Sequence, residues 1–283
     1  MKNVISNKNF DLERSLYNLK NTRVENCTFK GENDGESVLK ETHNIEVVKC
    51  LFSLRYPLWH AHTFKMLDSK MDEATRAPIW YSNNGEIVNS TIYGVKAVRE
   101  SKNITITNCL VDSTEFGWRT NNITINDSQI NSQYFLFESK NIKINNLKMT
   151  GKYSFQYTKN MEITSSYLDT KDAFWHAQDV VVKDSIVKGE YLGWFSKNLT
   201  FINCHIEGTQ PLCYAENLTL INCTMDKADL AFEYSSVNAT INGKVDSIKN
   251  PKSGVIEVDE VGEIIKEHPT MKCVGIVKVR KMC

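Results

Sequence analysis

The 283-residue chain carries 34 basic and 34 acidic side chains, so no net field draws it to nucleic acid or to an anionic membrane surface. No apolar run approaches the roughly 18 residues of a membrane span, and the opening MKNVISNKNFDLERSLYN lacks the apolar core of a secretion signal. The expectation is a cytoplasmic protein with neither a nucleic-acid nor a membrane partner.

Residues 10–17 read as an incomplete rung or a short helix, and residues 1–20 as an N-terminal cap. From residue 21 a nine-residue motif recurs, clearest as Asn103-Ile-Thr-Ile-Thr-Asn-Cys-Leu-Val111. Its starts are Asn21, Asn44, Thr63, Asn84, Asn103, Asn122, Asn141, Asn160, Asp179, Asn198, Asn217 and Asn238. The six intervals from Asn103 to Asn217 are 19 residues each, and the others are 19, 21 or 23. A fixed period of this length marks a solenoid and makes the chain a single domain.

Within each unit the second and fourth positions are apolar (Ile104 and Ile106, Leu199 and Phe201), which is the period of a short strand. The sixth is Asn, Asp or Ser (Asn108, Asp127, Asn203), residues that tolerate left-handed backbone, so a bend falls there. The seventh is small, taking five of the eight cysteines, and the ninth is apolar (Val111, Ile130, Ile206), giving a second strand. Gly often follows at the eleventh (Gly151, Gly189, Gly208), marking another turn. A third segment closes the rung, as in Ala173-Phe-Trp-His-Ala177. Three strands and three bends per unit describe an all-β, right-handed parallel β-helix of about 12 rungs over residues 21–250. A leucine-rich repeat has no reason for the aromatic third segment, and a left-handed hexapeptide helix needs three equal sixes. The pattern fails near Lys244 and Asp246, and residues 251–283 read as a C-terminal cap. Buried, reduced thiols fit the cysteine positions better than disulfides.

The strings RYPLWH (55–60), EFGWRT (115–120), GKYSFQYTKN (151–160), KDAFWH (171–176) and KGEYLGW (188–194) resemble those of an uncharacterised bacterial family of pectate-lyase-like right-handed β-helices. The resemblance runs over nearly the whole chain. It implies the fold, and it brings no activity and no catalytic residues with it.

Two columns in the third segment hold the candidate chemistry. One runs Trp59, Trp80, Arg99, Trp118, Phe137, Gln156, Trp175, Trp194, Cys213 and Tyr234, and contains all five tryptophans. It is either an interior aromatic ladder, with the small residues two positions on as its neighbours, or a half-exposed strip able to stack on sugar rings. Arg99 and Gln156 speak against the interior, because an unpaired guanidinium there is costly. The next column, His60, Tyr81, Glu100, Arg119, Glu138, Tyr157, His176, Phe195 and Tyr214, is polar enough to face solvent. At a rung spacing of about 4.8 Å, Glu100 and Glu138 stand about 9.6 Å apart with Arg119 between them. That is a surface ion ladder, or at the upper limit the carboxylate separation of an inverting glycosidase. Asp172 and His176, with Tyr153 and Tyr191 on adjacent rungs, form a second cluster, and His60 and His62 near Arg55 a third.

Two function classes follow. One is a carbohydrate-binding or carbohydrate-active protein, with Trp59, His60, Trp80, Trp118, Tyr157, Trp175 and Trp194 on the ligand. Any catalysis in it, of polysaccharide-lyase or glycoside-hydrolase type, would fall to Glu100, Arg119, Glu138, His176 and Asp172. The other is a non-enzymatic scaffold that binds a protein or a second copy as a homo-oligomer. No Cys or His pair has metal-ligand spacing, so neither a metal nor another cofactor is expected.

Overall fold

The computed structural model describes residues 3–31, 37–267 and 269–280; the remaining positions, in the rung that starts at Asn21 and in the expected caps, lie outside the described residues. The chain divides into two compact units, Met1–Lys143 and Ile144–Cys283. Their strand pairings are parallel, and the fold is an all-β parallel β-solenoid of about 14 turns with a period of about 19 residues.

In the first unit the strand Lys102–Thr107 lies between Asn83–Val88 and Asn121–Ser132, with Ile87, Ile106 and Ile125 in one file and Gly85, Ile104 and Ile123 in another. Alternating apolar residues put one side of each strand into the core, and the parallel register stacks like on like. Gly85 makes room for a neighbour, since the Phe64 ring lies 2.3 Å from where a Cβ would stand. The bend expected at the sixth position is present: Asn89 and Asn108 take φ of 49° and 52°, and Asn108 Nδ2 donates to Asn89 Oδ1 at 2.8 Å. A second left-handed file, at the motif start, was not foreseen. Asn103 has φ 54°, donates to Asn84 Oδ1 at 2.8 Å and accepts from Asn122 Nδ2 at 2.8 Å. The longer interval after Thr63 is absorbed by a 3₁₀ turn, Glu73–Thr75, capped by Asp72. Residues 1–20 hold no helix among the described residues. Their strands Asn3–Ser6 and Asn9–Phe10 pair with Thr22–Glu25 and Thr28–Phe29 as a further turn.

In the second unit Met161, Val180 and Leu199 form one file and Ile163, Val182 and Phe201 another. Its third segment is a turn where a strand was expected, yet the turn-to-turn bonds persist, with Phe174 N donating to Ser154 O at 2.9 Å and Gly193 N to Ala173 O at 2.8 Å. Gly208 is needed for close approach: its φ is 134°, and a Cβ there would stand 2.0 Å from Gly189 O. The register shifts between Ile241 and Lys244, where the sequence pattern fails, and the solenoid continues through Ser253–Ile265 to Ile276–Val279.

The described cysteines are free thiols. Cys109 Sγ donates to Thr107 O at 3.3 Å, and burial pushes the Cys50 and Cys204 thiols up to about 11. They pack, and their thiolates are disfavoured.

Candidate functional site

The tryptophan column is not the interior ladder. Trp59, Trp80, Trp118, Trp175 and Trp194 are all half-buried, and the aromatic core is built one or two residues earlier, by Phe116, Phe135, Phe155 and Phe174, each fully buried. The small residues two positions beyond the column do point inward. Thr120 N, for example, donates to the hydroxyl of the buried Ser139 at 3.0 Å. Three indoles are pinned across the turn by their N–H groups: Trp118 to Tyr134 O at 2.9 Å, Trp175 to Tyr191 O at 2.7 Å and Trp194 to Gln210 O at 2.8 Å. Each ring therefore lies over its turn with one part packed and one part wet.

In the first unit these rings are already engaged. Trp59 and Trp80 stack at 5.6 Å, Lys40 lies 4.4 Å over Trp59, and the Arg99 guanidinium sits 5.9 Å from Trp80 and 5.1 Å from Trp118. Arg99 also bonds Glu115 at 3.0 Å and Glu100 at 3.4 Å, so its place in the column is a cation on two aromatic faces, paired at its rim. Arg119 Nε bonds Glu138 Oε2 at 2.6 Å, and that carboxylate raises the guanidinium, with a smaller contribution from Glu100. Glu100, Arg119 and Glu138 thus have the geometry of a surface ion ladder. His60 and His62 do not form one cluster: His60 Nδ1 meets Glu41 at 3.2 Å, whereas His62 stacks on His43 at 4.7 Å and bonds Asn83.

In the second unit the outer column is a pile of rings. Tyr157 and His176 stack at 4.8 Å with planes 12° apart, His176 and Phe195 at 5.1 Å and 10°, and Phe195 and Tyr214 at 4.9 Å and 15°. Tyr234 extends it, 5.7 Å from Tyr214. The sequence alignment puts Tyr234 in the tryptophan column, but Tyr214 N bonds Glu233 O as Phe195 N bonds Cys213 O, so Glu233 holds that register. Beside this pile Trp175 and Trp194 stack at 5.5 Å, 5° from parallel. Tyr157 is 46% exposed and Phe195 44%. Among the described residues no Lys or Arg lies over Trp175, Trp194, Phe195 or Tyr214. Phe195, Tyr214 and Tyr234 are the members that the sequence-predicted ligand set omits; the signal for Phe195 and Tyr214 was the column they share with Tyr157 and His176, whereas the position of Tyr234 comes from the structure alone.

At the margin of this face Asp172 occupies a left-handed corner, φ 52°, with Tyr153 and Tyr191 at the equivalent corners of the turns before and after. Gln156 Nε2 donates to the Asp172 carbonyl at 2.9 Å, the counterpart of the tryptophan bonds. Burial pushes the Asp172 carboxyl above the usual aspartate range, Lys171 opposing and Glu190 adding to the shift. No hydrogen bond or ion pair among the described residues joins Asp172 to His176, whose ring belongs to the pile. Nor does any described group of three His, Cys, Asp or Glu side chains stand ready for a metal.

Over residues 3–277 the sequence matches the model of a family described as a protein of unknown function, DUF3737. The chain belongs to the DUF3737 family. No curated protein matches this DUF3737 chain. Solved structures similar to it include the A-module of the mannuronan C-5 epimerase AlgE6 of Azotobacter vinelandii, at 12% identity and TM-score 0.37, covering 98% of this chain and 90% of that one. Another is PfbA, a surface adhesin of Streptococcus pneumoniae, at 12% identity and TM-score 0.39, covering 91% of each. A third is HetL, a pentapeptide repeat protein of Nostoc, at 11% identity and TM-score 0.29, covering 78% of this chain and 92% of that one. Values this low equate no residue of the DUF3737 chain with one of theirs.

Proposed function

We propose that the ring pile of the second unit, Tyr157, His176, Phe195, Tyr214 and Tyr234 with Trp175 and Trp194 beside it, binds a linear glycan. The observation that supports it most is what the backbone asks of these positions. Tyr157, His176, Phe195, Tyr214 and Tyr234 have φ between 55° and 59°, a region where Asn or Gly costs least and a bulky side chain of order 1–2 kcal/mol. The solenoid needs the corner but not the ring, so rings repeated at five such corners answer to something outside the backbone. Planes 10–15° apart at centroid distances of 4.8 to 5.1 Å require adjacent rings to slip by about 3–4 Å if they keep van der Waals spacing. Each leaves part of a face or an edge open. A pyranose chain laid along such a column meets a ring at each turn, at intervals on the order of one sugar unit. Polar side chains at the margin, Gln156, Lys171, Glu190 and Glu216, suit its hydroxyls, and an apolar floor with a polar rim is the usual build of a ligand face.

Immobilised linear glycans probed with the wild type and with Phe195→Ala test the reading, the fold of each being verified by circular dichroism. Binding by the wild type and loss of roughly tenfold or more in the variant is expected, since one buried aromatic contact is worth that much. A wild type that binds none of the glycans, or a variant that binds equally well, refutes it. One observation favours a second reading, a protein partner or a second copy: rings this close cover much of one another's faces, and exposed aromatic patches are also where proteins dock. A dimer in light scattering that Phe195→Ala converts to monomer would install that reading instead.

A further inference from the structure

Among the described residues Asp172 is the only buried Asp, Glu, Lys, Arg or His side chain, 8% exposed. Its carboxyl has no hydrogen bond or ion pair among them. The cations nearby are turned elsewhere: Lys171 Nζ meets Glu190 at 3.5 Å, and Lys152 Nζ lies 5.7 Å from the Tyr153 ring centroid. A carboxylate has about four acceptor sites; no protein group fills them here, the oxygens keep a narrow opening to solvent, and partial burial still disfavours the charge. Asn would fit the same left-handed corner without a charge to desolvate. The solenoid therefore gains nothing from this acid, and the unspent acceptors stand at the margin of the ring face, beside Gln156 and Trp175.

We infer that Asp172 is the polar anchor of the glycan face, accepting hydrogen bonds from a pair of neighbouring hydroxyls on a neutral sugar. The inference rests on the glycan reading and narrows it. A carboxylate in this place takes ligands that bring O–H donors and turns away those that bring negative charge, so uronate chains are disfavoured and neutral ones selected. The other titratable groups around the corner are Lys152 and Tyr153 from the preceding turn, Lys171 and His176 on its own, and Glu190 and Tyr191 from the following one. Glu190 is the group to control for in the acid range.

Two measurements on the full chain test this. The first needs no ligand. Because the folded-state carboxyl titrates above its unfolded value, its ionised form is penalised in the fold; that penalty grows as pH rises through the folded value and vanishes below the unfolded one, about 3.9. Asp172→Asn should therefore melt higher than wild type at pH 7, with the gap closing as pH falls. An Asp172→Asn protein no more stable than wild type at pH 7 means the carboxylate is already satisfied, and overturns the inference. The second is calorimetric titration with a neutral β-1,4-glucan hexasaccharide and a galacturonan hexasaccharide. The wild type should prefer the neutral chain, with Asp172→Asn weakening it by roughly tenfold or more, the scale of a charged hydrogen bond. If Phe195→Ala abolishes binding while Asp172→Asn binds like wild type, the anchor fails and the ring face stands. Preference for the galacturonan also overturns the anchor. A wild type that binds neither chain overturns the anchor and the glycan reading together.

Discussion

Replacing Asn103 separates two contributions that the solenoid makes at every turn. Its side chain donates to Asn84 Oδ1 and accepts from Asn122 Nδ2, each at 2.8 Å, on an exposed backbone corner with φ 54°. Asn103→Ala removes both bonds and places a Cβ residue without Asn's local hydrogen bonding in left-handed backbone. Two exposed bonds are worth about 1–2 kcal/mol together, at the low end because water replaces them, and the corner adds about 1–2 kcal/mol, so a loss of about 2–4 kcal/mol is expected. Asn103→Gly loses the same bonds and escapes the strain, at an entropic cost of about 0.5–1 kcal/mol. Its loss should be about 0.5–1 kcal/mol smaller than that of the alanine variant. Urea unfolding followed by circular dichroism reads both, provided the slope against denaturant is unchanged. An alanine variant within about 0.5 kcal/mol of wild type would refute the ladder's contribution. A glycine variant less stable than the alanine one would refute the strain.

Glu207 accepts from Lys227 Nζ at 2.6 Å and bonds Lys188 at 2.9 Å, and those two ammonium groups hold its carboxyl down at about 2. Its contribution to stability is present above the free glutamate value and is lost as pH falls toward 2. An NMR titration of the side chain should show the depressed midpoint, and Lys227→Ala or high salt should raise it; an ordinary midpoint in the wild type refutes the double pairing. For Gly208, whose Cβ would collide with Gly189 O at 2.0 Å, alanine should cost well above the roughly 1–3 kcal/mol of backbone strain. Gly243→Ala, at φ 80° with nothing within 4 Å of its Cβ, should show the strain alone. Equal melting temperatures for the two variants would mean that the turns part freely.

The rungs were legible because a solenoid repeats its demands. Ile104 and Ile106 meet the same file of neighbours as Ile123 and Ile125, so each unit testifies to the next, and the Asn108 bend could be read from residue type alone. The first Asn of the motif escaped notice as a corner because its neighbours on both sides belong to strands, and a left-handed residue inside a strand leaves no break in the alternation. The side on which the tryptophans lie was not legible either. Half-burial packs part of each ring, and in three of the five the N–H is seated on a carbonyl of the next turn, so neither an interior nor an exterior pattern emerges from composition. Tyr234 was misplaced by one position because the last motif start was set at Asn238, whereas the strand register pairs Leu218 with Val237 and so puts Ser236 opposite Asn217. The bonds from Tyr214 N to Glu233 O and from Ala215 N to the Ser235 hydroxyl give the true column.

The outer column shows where fold and function part company in such a molecule. At the interior positions the neighbours above and below dictate size and polarity, and the residue reports on the fold. At the outer corner the fold dictates only φ, and side chains as different as Glu100, Arg119, His176 and Phe195 all accept it. Composition there is free to report on what lies outside the chain. In the first unit the corner carries His60, which meets Glu41, and Tyr81, which stacks on Trp80, followed by Glu100, Arg119 and Glu138, whose charges are met by Arg99 and by one another, so that stretch is closed upon itself. In the second it is filled by rings stacked on one another, and the one buried acid of the described chain stands at their margin with no hydrogen bond or ion pair to its carboxyl among the described residues. Apolar area left wet and a carboxylate partly desolvated are both unfavourable in the isolated protein. One ligand with an apolar face and neighbouring hydroxyls would relieve both at once.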